Sequence, residues 1–477
     1  MIANFNFKYF KFALPIFLAI EILSFLGSIF PYVNPVIFIF LALATIILSI
    51  YDLRFGLYLI LSELLIGSKG YLFYLTIQDF KISLRLVLFA IVLLIWLWEF
   101  LRKKQLEFFT TNYWKYFLVF GVFVLLAILQ GWLRNQGLTW YQDFNAWLFW
   151  LLAPVFFIVI NSRQKINEFL GIFFACVIYL SVKTLFLLIW FAYSAPHLTV
   201  DIYQWLRISG LAEVTFIAGN FYRIFMQSQI FLLTGFFISL ALLVFQFNRR
   251  IDKIVLWLTL ILSSTAILAS LSRSFWVGLS GALVILTIYA IVKKIFDYKI
   301  IFKGLALAVV ILFGEIFFLQ IITGNYWQVA VGNRVGSINL DAAGISRLQQ
   351  LTPLKNNIID NIFLGAGFGK TVTYVSQDPR VLKNNPNGNY LTYAFEWGYL
   401  DICLKLGLLG LLAYLAFIAK IGMDCLKSGP LGMGLFWGLI ALLIVSMFSP
   451  YLNHPLGIGI LLFTASISLF LKNNHGN

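Results

Sequence analysis

The sequence has little charge and few of the residues that bind metals. Only 11% of its 477 residues are charged, and it holds three histidines and three cysteines. The histidines His197, His454 and His475 are scattered, and the chain has neither an Asp-x-Asp pair nor a His-Glu-x-x-His motif. We therefore predict a site without a metal ion, and nothing in the sequence indicates another cofactor.

The cysteines give no sign of a disulfide framework. Cys176, Cys403 and Cys425 lie inside or beside apolar runs, and the one long polar interval contains none. A small disulfide-rich domain would place its cysteines in polar loops. The redox environment of the chain is therefore left open.

Long apolar runs are what the sequence has in abundance. Hydrophobic residues make up 61% of the chain and the mean hydropathy is +0.93, which is too apolar for a soluble domain. One crossing of the hydrocarbon core takes roughly 20 apolar residues, which leaves room for about fourteen helices. We predict an all-α, polytopic transmembrane bundle of about 12 to 14 spans with one large extracytoplasmic loop. The predicted spans are 12–30, 36–50, 55–66, 82–100, 115–130, 146–160, 168–192, 223–247, 254–270, 275–292, 304–322, 399–419, 430–447 and 455–471.

The basic residues fit a membrane protein better than a nucleic-acid-binding one. The formal net charge is +15, but the Lys and Arg residues form short clusters between apolar runs, with no contiguous basic face. With both termini in the cytoplasm, each cluster falls on the cytoplasmic side, as the positive-inside rule requires. We predict residues 1–322 as a transmembrane bundle, 323–398 as a large periplasmic loop and 399–477 as further transmembrane helices, in the inner membrane of a bacterium.

Four arginines break this charge pattern. Arg207, Arg223, Arg273 and Arg347 are predicted on the outer face, where insertion does not require them. A guanidinium group can bind phosphate or pyrophosphate through two parallel hydrogen bonds. Local acids or lipid headgroups are the alternative partners for each one.

Two further features of the polar interval invite a functional interpretation. Glu396 precedes the twelfth predicted span, where a carboxylate could accept a proton, although an acid at a helix start is also stabilised by the helix dipole. The segment Gly365-Ala366-Gly367-Phe368-Gly369-Lys370-Thr371 ends like a phosphate-binding loop. Leu364 stands where that motif has its first glycine, so a glycine turn packed at the membrane surface is the better interpretation.

Several motifs together resemble the O-antigen ligase and polymerase family of membrane glycosyltransferases. Arg347-Leu348-Gln349-Gln350-Leu351 is similar to the Arg-x-x-x-Leu motif of the ligases, and the segment from Glu396 to Gly407 matches the spacing of their His-to-Gly motif, with Glu396 in place of the histidine. Ser272-Arg273-Ser274, Tyr222-Arg223-Ile224-Phe225 and the segment from Ile362 to Gly369 resemble other conserved segments of the family.

The resemblance implies transfer of a glycan from undecaprenyl pyrophosphate to an acceptor hydroxyl at the outer face of the inner membrane. The acceptor is a lipid A-core sugar in ligases and the growing glycan in polymerases. By this resemblance Arg207, Arg223 and Arg273 bind the pyrophosphate, and Arg347 and Glu396 are catalytic, with Glu396 as the base.

The missing histidine leaves ligase and polymerase both open. A flippase or exporter of polyprenyl-linked glycans is a different possibility, since about fourteen spans can surround a charged cavity. The expected partners are the lipid-linked donor, the acceptor and membrane lipids, and no nucleic acid.

Overall fold

The apolar runs fold as helices, which satisfy their own backbone hydrogen bonds and so can cross lipid. The computed structural model of the chain describes residues 7–78, 80–103, 107–135, 137–194, 196–219, 221–245, 250–295, 298–324, 326–336 and 342–474. The helices are α1 (Phe7–Ile29), α2 (Val33–Tyr51), α3 (Leu53–Ile66), α4 (Leu84–Lys103), α5 (Asn112–Arg134), α6 (Thr139–Phe144), α7 (Ala153–Val159), α8 (Arg163–Tyr193), α9 (Pro196–Ile208), α10 (Ile230–Phe245), α11 (Arg250–Ala269), α12 (Arg273–Val292), α13 (Tyr298–Thr323), α14 (Tyr326–Gly336), α15 (Ala342–Ile359), α16 (Pro379–Asn384), α17 (Gly398–Leu426), α18 (Gly429–Val445) and α19 (Pro455–Asn474). Two 3-10 helices, Asn145–Leu152 and Gln227–Gln229, precede α7 and α10.

Membrane-spanning helices dominate the described part of the chain. Eleven of its helices are long and apolar enough to cross a membrane, and Lys253–Ala269 and Gly429–Val445 are shorter apolar helices. Helix α3, with 14 residues, covers the short third predicted span. The predicted all-α polytopic bundle is confirmed, and the protein is a multi-pass membrane protein.

The core of the bundle lies around α8, α10, α18 and α19. Helix α10 packs against α18, α12 packs against the same helix, and α1 packs along α8. Most of α8 is buried, and its Lys183 forms an ion pair with Glu21 of α1, with 2.6 Å between Nζ and Oε1. A buried ammonium group is costly without such a partner, so this pair fixes α1 against α8.

Three short antiparallel hairpins extend the predicted all-α fold. They are β1 (Tyr74–Ile77) with β2 (Phe80–Ser83), β3 (Glu213–Ala218) with β4 (Phe221–Phe225), and β5 (Val372–Val375) with β6 (Asn389–Thr392). In the second, Thr215 lies opposite Arg223, and in the third, Tyr374 lies opposite Tyr390. The third lies wholly between predicted spans, whereas β2 and β4 include the first residues of the predicted spans 82–100 and 223–247, so these two spans begin later than predicted.

Segments predicted on the same side of the membrane contact one another. Lys69 pairs with Glu213, and the hydroxyl of Tyr193 donates to the carbonyl of Ile322. At the opposite ends of the helices, Arg54 pairs with Glu168, and Lys472 with Asp424. We call the end of the bundle that carries residues 326–397 the loop end.

Candidate active site

Arg347 and Glu396 form an ion pair at the loop end. The Nε of Arg347 contacts the Oε2 of Glu396, although 49 residues separate them in the sequence. Their side chains are 34% and 47% exposed, so the pair is open to water and to a ligand. The two residues predicted to be catalytic therefore lie together.

Two sets of contacts hold this pair in place. The indole of Trp397 donates from Nε1 to the backbone carbonyl of Arg347 at 2.9 Å, which ties α15 to the start of α17. The hydroxyl of Ser346 lies 2.8 Å from that of Ser376, which ties α15 to the strand β5 side of the loop. A small apolar cluster fills the space beneath these elements: Leu354, Ala366, Val372, Phe395 and Leu404.

The turn between α18 and α19, residues 446–454, joins the start of α17 to the start of α12. A Cβ built on Gly398 would meet the carbonyl oxygen of Ser446, so the helix start and this turn are in close contact. The ring of Trp397 packs against that of Phe448, with centroids 5.8 Å apart. On the other side of the turn, Ser449 Oγ lies 3.1 Å from Ser274 Oγ.

This turn brings the predicted Arg273 into the same region as the ion pair. Arg273 is the first residue of α12, between Ser272 and Ser274, whose hydroxyls lie 3.2 Å apart. Its side chain is half-buried. Trp397, next to Glu396, and Ser274, next to Arg273, therefore both contact the α18–α19 turn.

Arg223 lies beside the turn between α11 and α12, the turn that immediately precedes Arg273. Its Nε donates to the backbone carbonyl of Ser270 at 3.0 Å, and its guanidinium lies 5.0 Å from the ring centroid of Phe225. Hairpin β3–β4 positions it, since Arg223 pairs across the ladder with Thr215. The structure thus brings Arg223 and the Arg273 turn together.

Arg207 lies apart from this group in its described contacts. It is exposed on α9, and its guanidinium lies 6.0 Å from the ring centroid of Tyr203, one turn earlier in the same helix. Helix α9 contacts β3, the strand that pairs with Arg223. Arg207 is therefore linked to the other arginines only through the hairpin.

A buried charge cluster lies within reach of the ion pair along α17. Lys405 Nζ is 2.6 Å from Asp143 Oδ1 and 2.7 Å from Asp401 Oδ1, and all three side chains are buried. Asn453 of the α18–α19 turn donates to Asp401. The cluster joins α6, α17 and the turn, so it fixes the helix that begins just after Glu396.

The segment around Gly365, Gly367 and Gly369 supports a break in α17. Gly407 has φ +73° and ψ 175°, so the helix is interrupted there. Its freed carbonyls accept from the loop: Ala366 N–H donates to Leu404 O at 2.7 Å, and Gly367 N–H donates to Lys405 O at 3.2 Å. The N–H of Gly369 donates to Asp143 at 2.8 Å. The loop thus satisfies backbone groups that the break in α17 leaves without helical partners. The predicted position of the glycine turn at the membrane surface stays a prediction.

His454 ends the α18–α19 turn in a cationic neighbourhood. Its Nδ1 accepts from the N–H of Leu456 at 3.3 Å. Removal from water and the positive charges of Arg85 and Lys69 lower the pKa of His454 to about 3. The imidazole is therefore neutral at pH 7 and acts as an acceptor.

Tyr393 lies on the open side of the charge cluster. Its hydroxyl is 3.3 Å from the Oε1 of Gln142, next to Asp143. Burial and the negative charge of Asp143 raise the pKa of Tyr393, so it remains a neutral hydrogen-bond donor at pH 7.

The candidate site residues identified from the sequence do not include Asp143, Asn453, Arg85 or Asp401. Asp401 and Lys405 are four residues apart in one helix, so their pairing could have been found from spacing alone. Asp143 is 262 residues from Lys405, and no local signal links them. Arg85 lies in the first turn of α4, where its partner Glu63, 2.6 Å away, belongs to the preceding helix.

The chemistry available at this ion pair is that of one carboxylate and one guanidinium, both partly exposed. Within the described residues, no group of three or more His, Cys, Asp or Glu side chains could hold a metal ion. The exposed ion pair can bind an anion through Arg347 and accept a proton at Glu396.

One comparison with known proteins bears on this arrangement. The family model described as O-antigen ligase matches residues 258–415, a range that contains Arg273, Arg347, Glu396 and the break at Gly407. Arg207, Arg223 and Asp143 lie outside it. No curated protein sequence matches the chain. The family match supports the resemblance found in the sequence, since residues 258–415 are similar to the O-antigen ligase family.

Proposed function

We propose that the protein is a glycosyltransferase that moves a glycan from undecaprenyl pyrophosphate to an acceptor hydroxyl at the extracytoplasmic face of the inner membrane. The observation that carries the proposal is the exposed Arg347–Glu396 pair, which lies beside the turn that also contacts the start of α12, where Arg273 stands. The family match supports the same class of reaction.

The proposed reaction is a displacement at the first carbon of the donor glycan. The acceptor hydroxyl attacks this carbon, and its proton passes to the carboxylate of Glu396. The bond from the carbon to the pyrophosphate oxygen breaks, and undecaprenyl pyrophosphate leaves with the electron pair. General base assistance of this kind contributes about 100- to 10,000-fold to a rate.

The arginines are proposed to stabilise the leaving group. Pyrophosphate gains negative charge as the bond breaks, and fixed guanidiniums in a water-poor site lower the energy of that charge. Arg223 donates to Ser270 in the α11–α12 turn, and Arg273 is the first residue after that turn, so we assign both arginines to the pyrophosphate, with Arg207 as a more distant contributor.

Arg347 can couple donor binding to base activation. In the structure its guanidinium contacts the carboxylate of Glu396, and an ion-paired carboxylate is a weaker proton acceptor than an unpaired one. A pyrophosphate group competes for Arg347 and so releases Glu396 when the donor arrives. The base then becomes available only in the loaded enzyme.

The acceptor distinguishes the two activities proposed for this family. A ligase transfers the glycan to a different molecule, such as a lipid A-core sugar, whereas a polymerase extends a glycan that remains on undecaprenyl pyrophosphate. Products from a strain that expresses the protein therefore separate them: a ladder of lipid-linked chains indicates the polymerase, and a glycan joined to another lipid indicates the ligase.

The central experiment compares Arg347→Ala and Glu396→Gln with the unmodified protein in cells that lack the chromosomal copy. We expect each variant to reduce surface glycan at least 100-fold and to cause accumulation of the lipid-linked glycan. The matched control is Glu99→Gln, which removes a carboxylate paired with Lys103 in the last turn of α4. Immunoblots of membranes check that all proteins insert at equal levels.

The outcomes separate catalysis from transport. Normal transfer in both site variants rejects the proposal. A flippase predicts that donor accumulates only on the cytoplasmic face, whereas a transferase predicts accumulation on the outer face, where an added glycosidase can reach it in intact spheroplasts.

A further inference from the structure

The loop end carries an apolar tip that is exposed outside the predicted spans. Its residues Ile362, Phe363 and Leu364 are 39%, 64% and 45% exposed. They follow α15 and form one turn, in which Gly365 N–H donates to Asn361 O at 2.9 Å. Three consecutive exposed apolar side chains in a segment predicted to lie in the periplasm require an explanation.

Backbone hydrogen bonds hold the apolar tip against the middle of α17. Leu408 N–H donates to Ile362 O at 2.7 Å, and Leu409 N–H donates to Phe363 O at 3.3 Å. Leu408 lies about 15 Å along the helix from its start at Gly398, at 1.5 Å per residue. The tip therefore lies well below the first residue of α17.

The length of α17 indicates where the hydrocarbon begins. The helix has 29 residues, which is about 43 Å of helix against about 30 Å of hydrocarbon. Residues 407–426, after the break at Gly407, alone provide about 30 Å. If residues 407–426 form the span, the break and the tip bonded to it lie at the outer edge of the hydrocarbon.

Contacts with helix α5 independently place the residues next to the tip at a similar depth in the membrane. Phe368 N–H donates to Ala127 O at 3.0 Å, and the backbone of Phe368 closely approaches Gly131. The apolar helix α5 continues beyond these contacts to Arg134. The loop therefore lies beside the last turns of a membrane-spanning helix, and below its end.

The exposed surface around the tip is continuous with the lipid-facing surface of the bundle. Helices α5 and α17 pack against each other, and both expose apolar side chains at this level. These are Leu129, Trp132, Leu133, Leu408, Leu409 and Leu412. Asp360 and Lys355, which are exposed before the tip, are polar flanks suited to the headgroup layer.

We propose that the apolar tip inserts into the outer leaflet and contacts lipid acyl chains. The polar loop is thereby anchored to the bilayer at a point between its two predicted catalytic residues in the sequence. The proposal goes beyond the proposed reaction and does not depend on it, because it follows from the depth and exposure of the tip alone.

The test places a nitroxide spin label on a cysteine at the tip, in protein reconstituted into phospholipid bilayers. Phe363→Cys and Leu364→Cys are the test variants. Leu125→Cys, 62% exposed in the middle of α5, is the lipid control, and Leu391→Cys, 62% exposed on β6, is the water control. The native cysteines are buried, so the label reports the introduced site.

We expect the tip labels to collide with oxygen as the Leu125 label does and to be at least threefold less accessible to a water-soluble nickel complex than the Leu391 label. Tip labels that behave like Leu391 overturn the proposal. So do tip labels that neither reagent reaches, since they would be covered by protein. Because both native side chains are exposed, either variant can serve if the other fails to fold.

Discussion

At the scale of single residues, His454 makes the stability of the protein depend on pH. Its pKa is about 3 in the folded chain against an ordinary value of 6.5. Between these values the unfolded chain binds a proton that the folded chain does not. The stabilising contribution is therefore complete above pH 6.5 and is lost as the pH falls towards 3.

We expect His454→Gln to flatten this dependence, because glutamine stays neutral and can still accept from Leu456. The measurement is the thermal unfolding midpoint of the purified protein in detergent at pH 7.5 and pH 4.5. Between pH 7.5 and pH 4.5 the unfolding midpoint of the unmodified protein is expected to fall further than that of the variant. Equal losses would show that His454 is not protonated on unfolding.

The sequence singled out Arg347 and Glu396 as candidate site residues, but it predicted neither their ion pair nor the surroundings of that pair. Both residues stand out in the sequence. Arg347 is a basic residue predicted on the outer side of the membrane, against the positive-inside rule, and Glu396 is an acidic residue just before a predicted span. The contact of Ser449 with Ser274 joins residues 175 positions apart, and neither serine breaks any local pattern. Their roles in transfer remain predictions.

At the scale of elements, two substitutions in the charge cluster on α17 are expected to destabilise the protein to different degrees. Lys405→Met leaves Asp143 and Asp401 buried near each other without a cation, which costs about 3–5 kcal/mol of stability. Asp143→Asn leaves a neutral Lys405–Asp401 pair, and the amide oxygen can still accept from Gly369.

We therefore expect Lys405→Met to lower the thermal midpoint much more than Asp143→Asn does. Light scattering or the fluorescence of a thiol-reactive dye follows the unfolding. Similar midpoints for both variants would mean that Lys405 is not the required counterion of this cluster.

The break in α17 gives a second prediction at this scale. Gly407→Ala places a side chain at positive φ, which costs on the order of 1–3 kcal/mol, and its Cβ overlaps the carbonyl of Phe363. Gly314→Ala in α13 is the matched control, because its Cβ meets nothing within 4 Å. We expect the thermal unfolding midpoint to fall only for Gly407→Ala. Equal midpoints for the two variants would show that alanine is not strained at position 407.

Hydropathy predicted the long helices well and the irregular elements poorly. The break at Gly407 lies within a predicted membrane span, 399–419, and hydropathy does not mark its position. The hairpin of β5 and β6 has four residues in each strand, and 13 residues separate Val375 from Asn389, which conceals the pairing. Such elements depend on contacts that are distant in sequence, which local periodicity does not report.

At the scale of the whole molecule, the distribution of basic residues predicts its orientation. Cysteines at Leu391, in the large loop, and at Lys427, between α17 and α18, are expected on opposite sides of the membrane. A membrane-impermeant maleimide should label Leu391→Cys in intact spheroplasts and Lys427→Cys only after lysis. Labelling with the reverse pattern would invert the predicted topology.

The position of the α18–α19 turn in the sequence also determines when the contacts around α12 and α17 can form during synthesis. This turn contacts the beginnings of α12 and α17, yet it is translated after both of them. While the ribosome is still making α18, Asp401 has no Asn453 and Ser274 has no Ser449. In a nascent chain α12 and α17 therefore lack these partners until the α18–α19 turn has been made.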